Sequence, residues 1–172
     1  MSLSMHSASA LVFVRMLTQL IQWLDKAEEH ATTKKFDPNV LLGMRLAPDM
    51  LPLSKQVQIA CDSAKFGVSR LAGVEAPKFD DSETTLAELR GRVRKTLDFL
   101  QSVPAVQVDG SEGRDITLPR RDGAIVLKGD AYLKHFALPN FFFHLTTAYA
   151  LLRHNGVELG KADYLGALQP PA

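Results

Sequence analysis

The sequence predicts an all-α protein, a four-helix bundle with a small β-hairpin inserted between the third and fourth helices. Apolar residues recur at spacings of three and four in long segments, and one stretch between these segments alternates instead. The chain has 172 residues, a length typical of one domain, so we expect residues 1–172 to form a single helical bundle. Amphipathic helices in a chain of this size bury their apolar stripes most simply against one another.

The first predicted helix runs from Ser4 to about Thr32, because one apolar stripe continues over this stretch. The stripe consists of Leu11, Val14, Leu17, Ile21 and Leu24. A short helix or turn should follow from Pro38 to Leu46. The first ten residues contain no basic region, and polar residues such as Arg15 interrupt the apolar stretch behind them. We therefore expect neither a signal peptide nor a membrane span.

The second predicted helix runs from about Met50 to Ala72. Asp49 is a cap-type residue before it, and Gly73 provides a stop. One face of this helix carries Leu53, Gln56, Val57, Ala60, Ala64 and Leu71. Residues 74–81, with a proline and two aspartates, should form a loop.

The third predicted helix is capped by Ser82 or Thr84 and ends before Pro104. Its apolar stripe consists of Leu86, Leu89, Val93, Leu97 and Leu100. The pattern then changes to alternation on both sides of an Asp122-Gly123 turn signal, which predicts a β-hairpin. An isolated hairpin is marginally stable in water, so this one should lie across the helices.

The fourth predicted helix extends from Asp130 to Asn155. Pro139 should kink or restart it, and Gly156 is its C-terminal stop. The tail that follows, ending with residues 169–172, is expected to be partly unstructured.

Composition and charge exclude several classes of protein. The chain is 46% apolar and 23% charged, as in ordinary globular domains. Its 20 Lys and Arg residues nearly balance 19 Asp and Glu residues, so we expect neither a nucleic-acid nor a membrane partner. Cys61 is the only cysteine, which excludes an intrachain disulfide and a site built from several thiolates. We expect a cytoplasmic protein.

Polar residues on the apolar stripes are the candidates for a binding pocket. On the fourth helix, Asn140, His144 and Thr147 lie at i, i+4 and i+7 and therefore share one face. On the second helix, Gln56 lies in line with the apolar residues. These four side chains could line a small-molecule pocket or hold a metal ion through His144. In the alternative interpretation, His144 is a buried histidine that hydrogen-bonds to the two amides and has only a structural role.

The other reactive or charged residues have ordinary interpretations. Cys61 lies beside Asp62, which disfavours its thiolate, so we expect it to have a packing role. The basic run from Arg90 to Lys95 should pair with Glu83 and Glu88 on the helix surface. His6, His30, His135 and His154 are expected to be surface residues.

Three strings along the chain carry a family resemblance. The first is Arg-Leu-Ala-Pro-Asp-Met at residues 45–50, followed by Pro-Leu at 52–53 and Gln-Val at 56–57. The second joins Leu-Pro-Asn-Phe at 138–141 to Phe-His-Leu-Thr-Thr-Ala-Tyr at 143–149, and the third covers residues 156–166. With these strings the sequence resembles, over nearly its whole length, the family of unknown function called DUF1993.

That family is similar to the DinB/YfiT-like superfamily, and the resemblance implies a four-helix bundle that is often dimeric. Many members of the superfamily bind a divalent metal through three histidines, and some are thiol-dependent transferases. One histidine lies on the second helix and an HxxxH pair lies on the fourth. These positions correspond here to Gln56, Asn140 and His144, so amides replace two of the three histidines. If zinc or nickel binds, His144 is its one strong ligand, unless Asp49 or Asp62 completes the site.

The residues and the family resemblance are compatible with two functions. The first is a DinB-like pocket for a small molecule or a weakly held metal, with His144 as base or ligand in a remnant transferase or hydrolase reaction. The second is a non-catalytic, dimeric binding or scaffold protein in which the polar cluster specifies packing. In either case we expect a homodimer, because Phe13 with Leu17, and the run Phe141–Phe143, place apolar residues on more than one side of their helices.

Overall fold

The computed structural model describes residues 3–120 and 122–167, with Arg120 described only through its backbone. The predicted helical bundle, with one hairpin between its third and fourth long helices, is present over these residues. The helices in chain order are α1 (Met5–Ala8), α2 (Ala10–Lys34), α3 (Leu53–Ala72), α4 (Leu86–Ser102), α5 (Ala105–Val108), α6 (Gly129–Tyr132), α7 (Leu138–His154) and α8 (Lys161–Leu165). A 3₁₀ helix covers Pro38–Gly43, and strands β1 (Asp115–Arg120) and β2 (Gly123–Lys128) form the hairpin.

The first predicted helix is divided into α1 and α2 at Ser9. The backbone leaves the helical region there, at φ −120° and ψ −79°. The buried Ser9 hydroxyl donates a hydrogen bond of 2.6 Å to the Met5 carbonyl, which fixes the break. The span Met5–Lys34 is long and apolar enough to cross a membrane by length and composition alone, but a core helix passes the same test. Leu17, Trp23 and Leu24 are fully buried within the bundle.

The start of α3 differs from the prediction. The helix begins at Leu53 after Pro52, whose fixed φ suits the position before a helix, whereas Met50 closes a turn on the Ala47 carbonyl. The predicted cap Asp49 is an exposed residue of that turn and does not cap α3. The predicted stop is correct, because Gly73 adopts the left-handed conformation at φ +70°.

The cap of α4 is Thr85, one residue beyond the predicted Thr84 and three beyond Ser82. The Thr85 hydroxyl accepts a hydrogen bond from the Glu88 amide, and the Glu88 carboxylate accepts one from the Thr85 amide. This reciprocal capping box requires a spacing of three residues, which only Thr85 has with Glu88. Glu88 therefore serves the helix start and does not pair with the basic run.

The hairpin lies against the helices as predicted. Its antiparallel strands place Ile116 opposite Leu127 and Leu118 opposite Ile125. Ile116 and Leu118 belong to the buried core, whereas β2 is mostly exposed. The hairpin thus packs on one side of the bundle through β1, and β2 faces outward. Arg121 of the predicted turn lies outside the described residues, as does the predicted unstructured tail beyond residue 167.

The last long helical stretch is interrupted before Pro139, as the sequence predicts. A π-helical turn, Leu133–Ala137, joins α6 to α7. Proline has no N–H for the carbonyl one turn earlier and its ring crowds that carbonyl, so the wider turn accommodates it. We refer to residues 129–154 as the α6–α7 segment.

Most of the apolar residues on which the dimer prediction depends lie inside the bundle of one chain. Phe13, Leu17 and Phe141 are fully buried, and the rings of Phe13 and Phe141 meet edge to face with centroids 4.8 Å apart. Phe142 is half-buried, and Phe143 is 58% exposed. These side chains fill the core of one chain, so of the residues named for the dimer Phe143 is the one that is largely exposed.

Arg92 does not belong to a basic surface run. It is 3% exposed and forms ion pairs with Asp62, Asp81 and Glu83, each at 3.0 Å. Lys65, also 3% exposed, pairs with Asp62 at 2.9 Å. Because Asp81 and Glu83 belong to the segment between α3 and α4, this ion cluster around the buried Arg92 fastens that segment to both helices.

Candidate functional site

Three hydrogen bonds between side chains cross the contact between α3 and the α6–α7 segment. The α3 members are seven residues apart, a spacing that keeps them on one face of the helix. Along α3 the residue numbers rise, and the residue numbers of the partners on the α6–α7 segment fall, so the two segments run antiparallel. We call these side chains the polar seam; the pairs are Gln56 with His144 at 2.7 Å, Ser63 with Asn140 at 2.7 Å, and Arg70 with Tyr132 at 3.2 Å.

The Gln56–His144 pair has a defined direction. Gln56 is 2% exposed, and its Nε2 donates to the Leu51 carbonyl at 3.0 Å. Since a carbonyl oxygen only accepts, the Gln56 Oε1 faces His144 and accepts the proton of Nδ1. The tautomer of His144 is therefore the one with a proton on Nδ1 and a lone pair on Nε2. The half-buried imidazole has a pKa below its usual value of 6.5, because burial disfavours the charged ring.

This lowered pKa predicts how stability depends on pH. His144 binds a proton more readily in the unfolded chain, so the free energy of unfolding should fall as the pH drops below about 6.5. His144→Gln keeps a donor for Gln56 but does not titrate, and it should lose this part of the pH dependence. Urea unfolding of both proteins at about pH 7.5 and 5.5 measures the difference. A His144 pKa above 6.5 in an NMR titration would contradict the assignment.

A cleft of about 200 Å³ follows the polar seam between Asn140 and Arg70. Ile59, Phe66 and Phe136 provide apolar walls, and Ser63, Arg70 and Asn140 provide polar groups. We call this cleft the α3–α7 groove. Apolar walls with a few directed polar groups are the usual lining of a small-molecule site.

The four predicted pocket residues do not converge on one point. Gln56 contacts His144, whereas Asn140 donates to Ser63 and lines the α3–α7 groove one helical turn away. Thr147 is buried, and its hydroxyl donates to the Phe143 carbonyl at 2.7 Å within the same helix. Thr147 is therefore not a lining residue of the groove.

Ser63, Arg70 and Tyr132 were not identified from the sequence. The signal that could have found them is periodic, since Ser63 and Arg70 continue the seven-residue spacing from Gln56. On the facing segment, Tyr132 lies eight residues before Asn140, which is itself four before His144. Two matched polar rows on helices that pack together indicate a shared seam.

The donor set does not fit a zinc or nickel ion. The described residues contain no group of three His, Cys, Asp or Glu side chains placed to hold a metal. The Gln56 oxygen is bound to His144, and Asp62 is held by Lys65 and Arg92. Asp49 is exposed on the turn before α3. One imidazole without a convergent carboxylate or thiolate is a weak site for these metals.

Cys61 lies inside the core, as its predicted packing role requires. Burial raises the pKa of its thiol to about 12, so the thiolate is not populated at neutral pH. A thiol-dependent reaction at Cys61 is inconsistent with this environment.

A larger surface cleft of about 470 Å³ lies at the end of α2, away from the polar seam. Its walls carry charges of both signs, including Lys26, Glu29 and Glu158, and it contains no aromatic side chain except His30. His30 lines this surface cleft and packs half-buried against Phe36, with ring centroids 5.6 Å apart. We favour the smaller α3–α7 groove, because apolar walls with directed polar groups distinguish a binding site better than volume does.

Comparisons with known proteins agree with the architecture. A family model described as a domain of unknown function, DUF1993, matches residues 5–165. The crystal structure of a DinB family member protein from Shewanella denitrificans is 48% identical, with a TM-score of 0.91, and the alignment covers 97% of this chain and 94% of that one. No curated protein matches the sequence. The predicted DinB-like helical fold and family resemblance are confirmed.

Proposed function

Because the chain belongs to the DUF1993 family and has a DinB-like helical fold, we propose that it binds a small organic molecule in the α3–α7 groove. The observation that supports this proposal most strongly is the polar seam. It directs amide, hydroxyl and guanidinium groups along one groove whose walls are aromatic and aliphatic. The groove, at about 200 Å³, is smaller than the sites that hold drug-sized molecules, so we expect a ligand of metabolite size.

Protein-observed NMR with a set of small polar and aromatic fragments tests this function. We expect amide shifts near Ser63, Phe66 and Asn140, and we expect Ser63→Met, which fills the groove, to abolish them. The matched control is Thr33→Met in the charged cleft of α2, which should leave the shifts unchanged. Shifts confined to the α2 cleft, or no shifts from any fragment, would contradict the proposal.

A remnant transferase or hydrolase reaction is part of the same proposal, with His144 as its general base. The neutral imidazole has its Nδ1 proton directed to Gln56, which leaves the Nε2 lone pair to accept a proton from a bound molecule. His144 is half-buried one helical turn beyond Asn140 and is not among the residues that line the α3–α7 groove, so we place the reacting group of the ligand beyond the Asn140 end of the groove. We further propose that the protein acts in the cytoplasm.

We propose that zinc or nickel binds only weakly, with His144 as its one strong ligand. A single strong donor without a neighbouring negative ligand should lose the ion during dialysis against a chelator. Elemental analysis of the untagged protein should then find less than about 0.1 metal ion per chain. A stoichiometric ion that survives dialysis would show that the ligand set is wrong. His144→Ala should remove any residual binding.

An additional proposal concerns assembly, and it supports the alternative function of a dimeric binding protein. We propose a homodimer that covers Phe143, which is a large apolar side chain 58% exposed on α7. Sedimentation at micromolar concentration should show a dimer that Phe143→Ser dissociates. The equally exposed Val126, at 57% on the hairpin, provides a control as Val126→Ser. A wild-type protein that sediments only as a monomer would contradict this proposal.

A further inference from the structure

We propose that the ligand of the α3–α7 groove is a small monocarboxylate with an apolar or aromatic body, and that Arg70 binds its carboxylate. This inference rests on the proposed function and adds the chemical class of the ligand. It depends on the fixed position of Arg70, on the absence of a carboxylate partner for Arg70 among the described residues, and on the character of the groove walls.

Arg70 is held in place by its neighbours. Its Nη1 donates to the Tyr132 hydroxyl at 3.2 Å, and that hydroxyl donates to the Phe66 carbonyl at 3.3 Å. Tyr132 is 1% exposed, so the phenol is a rigid support. The guanidinium also lies over the Phe66 ring, 5.0 Å from its centroid. A guanidinium fixed in this way loses little conformational freedom when it binds a ligand.

Arg70 has no carboxylate partner in the described part of the chain. Arg90 pairs with Asp25 and Glu28. Arg92 pairs with carboxylates of three residues. The half-buried Arg70 has only the Tyr132 oxygen, and a guanidinium carries five N–H donors. Its remaining donors match the two oxygens of a carboxylate, which arginine binds in a planar, bidentate way.

The charges around the groove favour one negative charge over two. Asp62 also lines the groove and would repel a dianion such as a phosphate monoester. Lys65, on α3 between Asp62 and Phe66, is turned away into the ion cluster, with its ammonium 2.9 Å from Asp62 and 4.2 Å from the centre of the Phe79 ring. Arg70 is thus the one cation among the groove-lining residues.

The residues that line the groove indicate the size and polarity of the rest of the ligand. Ser63 and Arg70 are seven residues apart on α3, which is about 10 Å along a helix axis. Phe66 and Phe136 lie among the residues between the two ends. A carboxylate at Arg70 therefore places an apolar or aromatic body against these rings, and Asn140 or Ser63 can bind a polar group at the far end.

Phenylacetate and its neutral isostere phenylacetamide test the inference by NMR titration. We expect phenylacetate to shift the amides of the groove and phenylacetamide to bind at least about tenfold more weakly, since a charge-assisted pair is lost. Arg70→Gln should remove the difference between the two probes. Arg153→Gln, an exposed arginine at the far end of α7, is the matched control and should retain it.

The outcomes separate this inference from the function on which it rests. Equal binding of both probes in the groove, or a preference that survives Arg70→Gln, overturns the carboxylate inference and leaves small-molecule binding intact. If neither probe binds, the carboxylate inference fails, and the fragment titration decides the proposed function by itself. Inorganic sulfate, which is a dianion at neutral pH, would overturn the preference for a single charge if it competed with phenylacetate at equal concentration.

Discussion

Replacement of the buried Arg92 with alanine should lower the free energy of unfolding by about 3 kcal/mol. The side chain is 3% exposed and is the shared cation of Asp62, Asp81 and Glu83. Its removal leaves Glu83, whose side chain is 11% exposed, without this partner and opens a cavity against Phe79, which the guanidinium contacts. We expect the lower end of the usual cost of breaking a buried ion pair, because Asp62 and Asp81 are partly exposed to water.

Urea unfolding followed by circular dichroism measures this effect, with Arg94→Ala as the control. Arg94 belongs to the same basic run in the sequence but is exposed, so its replacement should change stability little. Two variants with the same small effect would show that Arg92 does not fasten the segment between α3 and α4.

Phe141→Ala should lower the free energy of unfolding by about 4 kcal/mol. Phe141 is fully buried at the centre of the bundle, in edge-to-face contact with Phe13 at 4.8 Å and Phe142 at 5.4 Å. Alanine removes the ring from a core that cannot fully collapse around the space. The loss should appear at all protein concentrations, because the contacts lie within one chain.

Phe143→Ala is the matched control for that variant, two residues along the same helix. Its side chain is 58% exposed, so the monomer should lose no more than about 0.5 kcal/mol. Comparable losses at Phe141 and Phe143 would mean that the register of α7 in the bundle is wrong.

Most of the fold could be predicted from the sequence because the determining signals are local and repeated. The long apolar stripes, the stop at Gly73 and the Asp122-Gly123 signal each depend on residues close together in the chain. The local sequence determines helix starts less sharply, because several cap-type residues compete near each one. Asp49 and Thr84 have suitable side chains, but Pro52 and the reciprocal Thr85–Glu88 hydrogen bonds determine the actual starts.

The site was harder to predict because it depends on which helix faces meet. Helical spacing alone places Asn140 and His144 on one face, but it does not show that each has a different partner on α3. The burial of Arg92 was missed for the same reason, since its acidic partners come from α3 and from the segment between α3 and α4. Arg70 and Tyr132 are 62 residues apart in the chain, so only the folded arrangement shows their contact.

A crystal structure of the protein soaked with fragments that bind in solution tests the central claim most directly. The claim is that the polar seam forms a binding groove between α3 and α7. We expect ligand density along Phe66 and Phe136, with a polar atom within hydrogen-bond distance of Asn140 or Arg70. Fragment density found only in the charged cleft at the end of α2, with none along the α3–α7 groove, would contradict the claim.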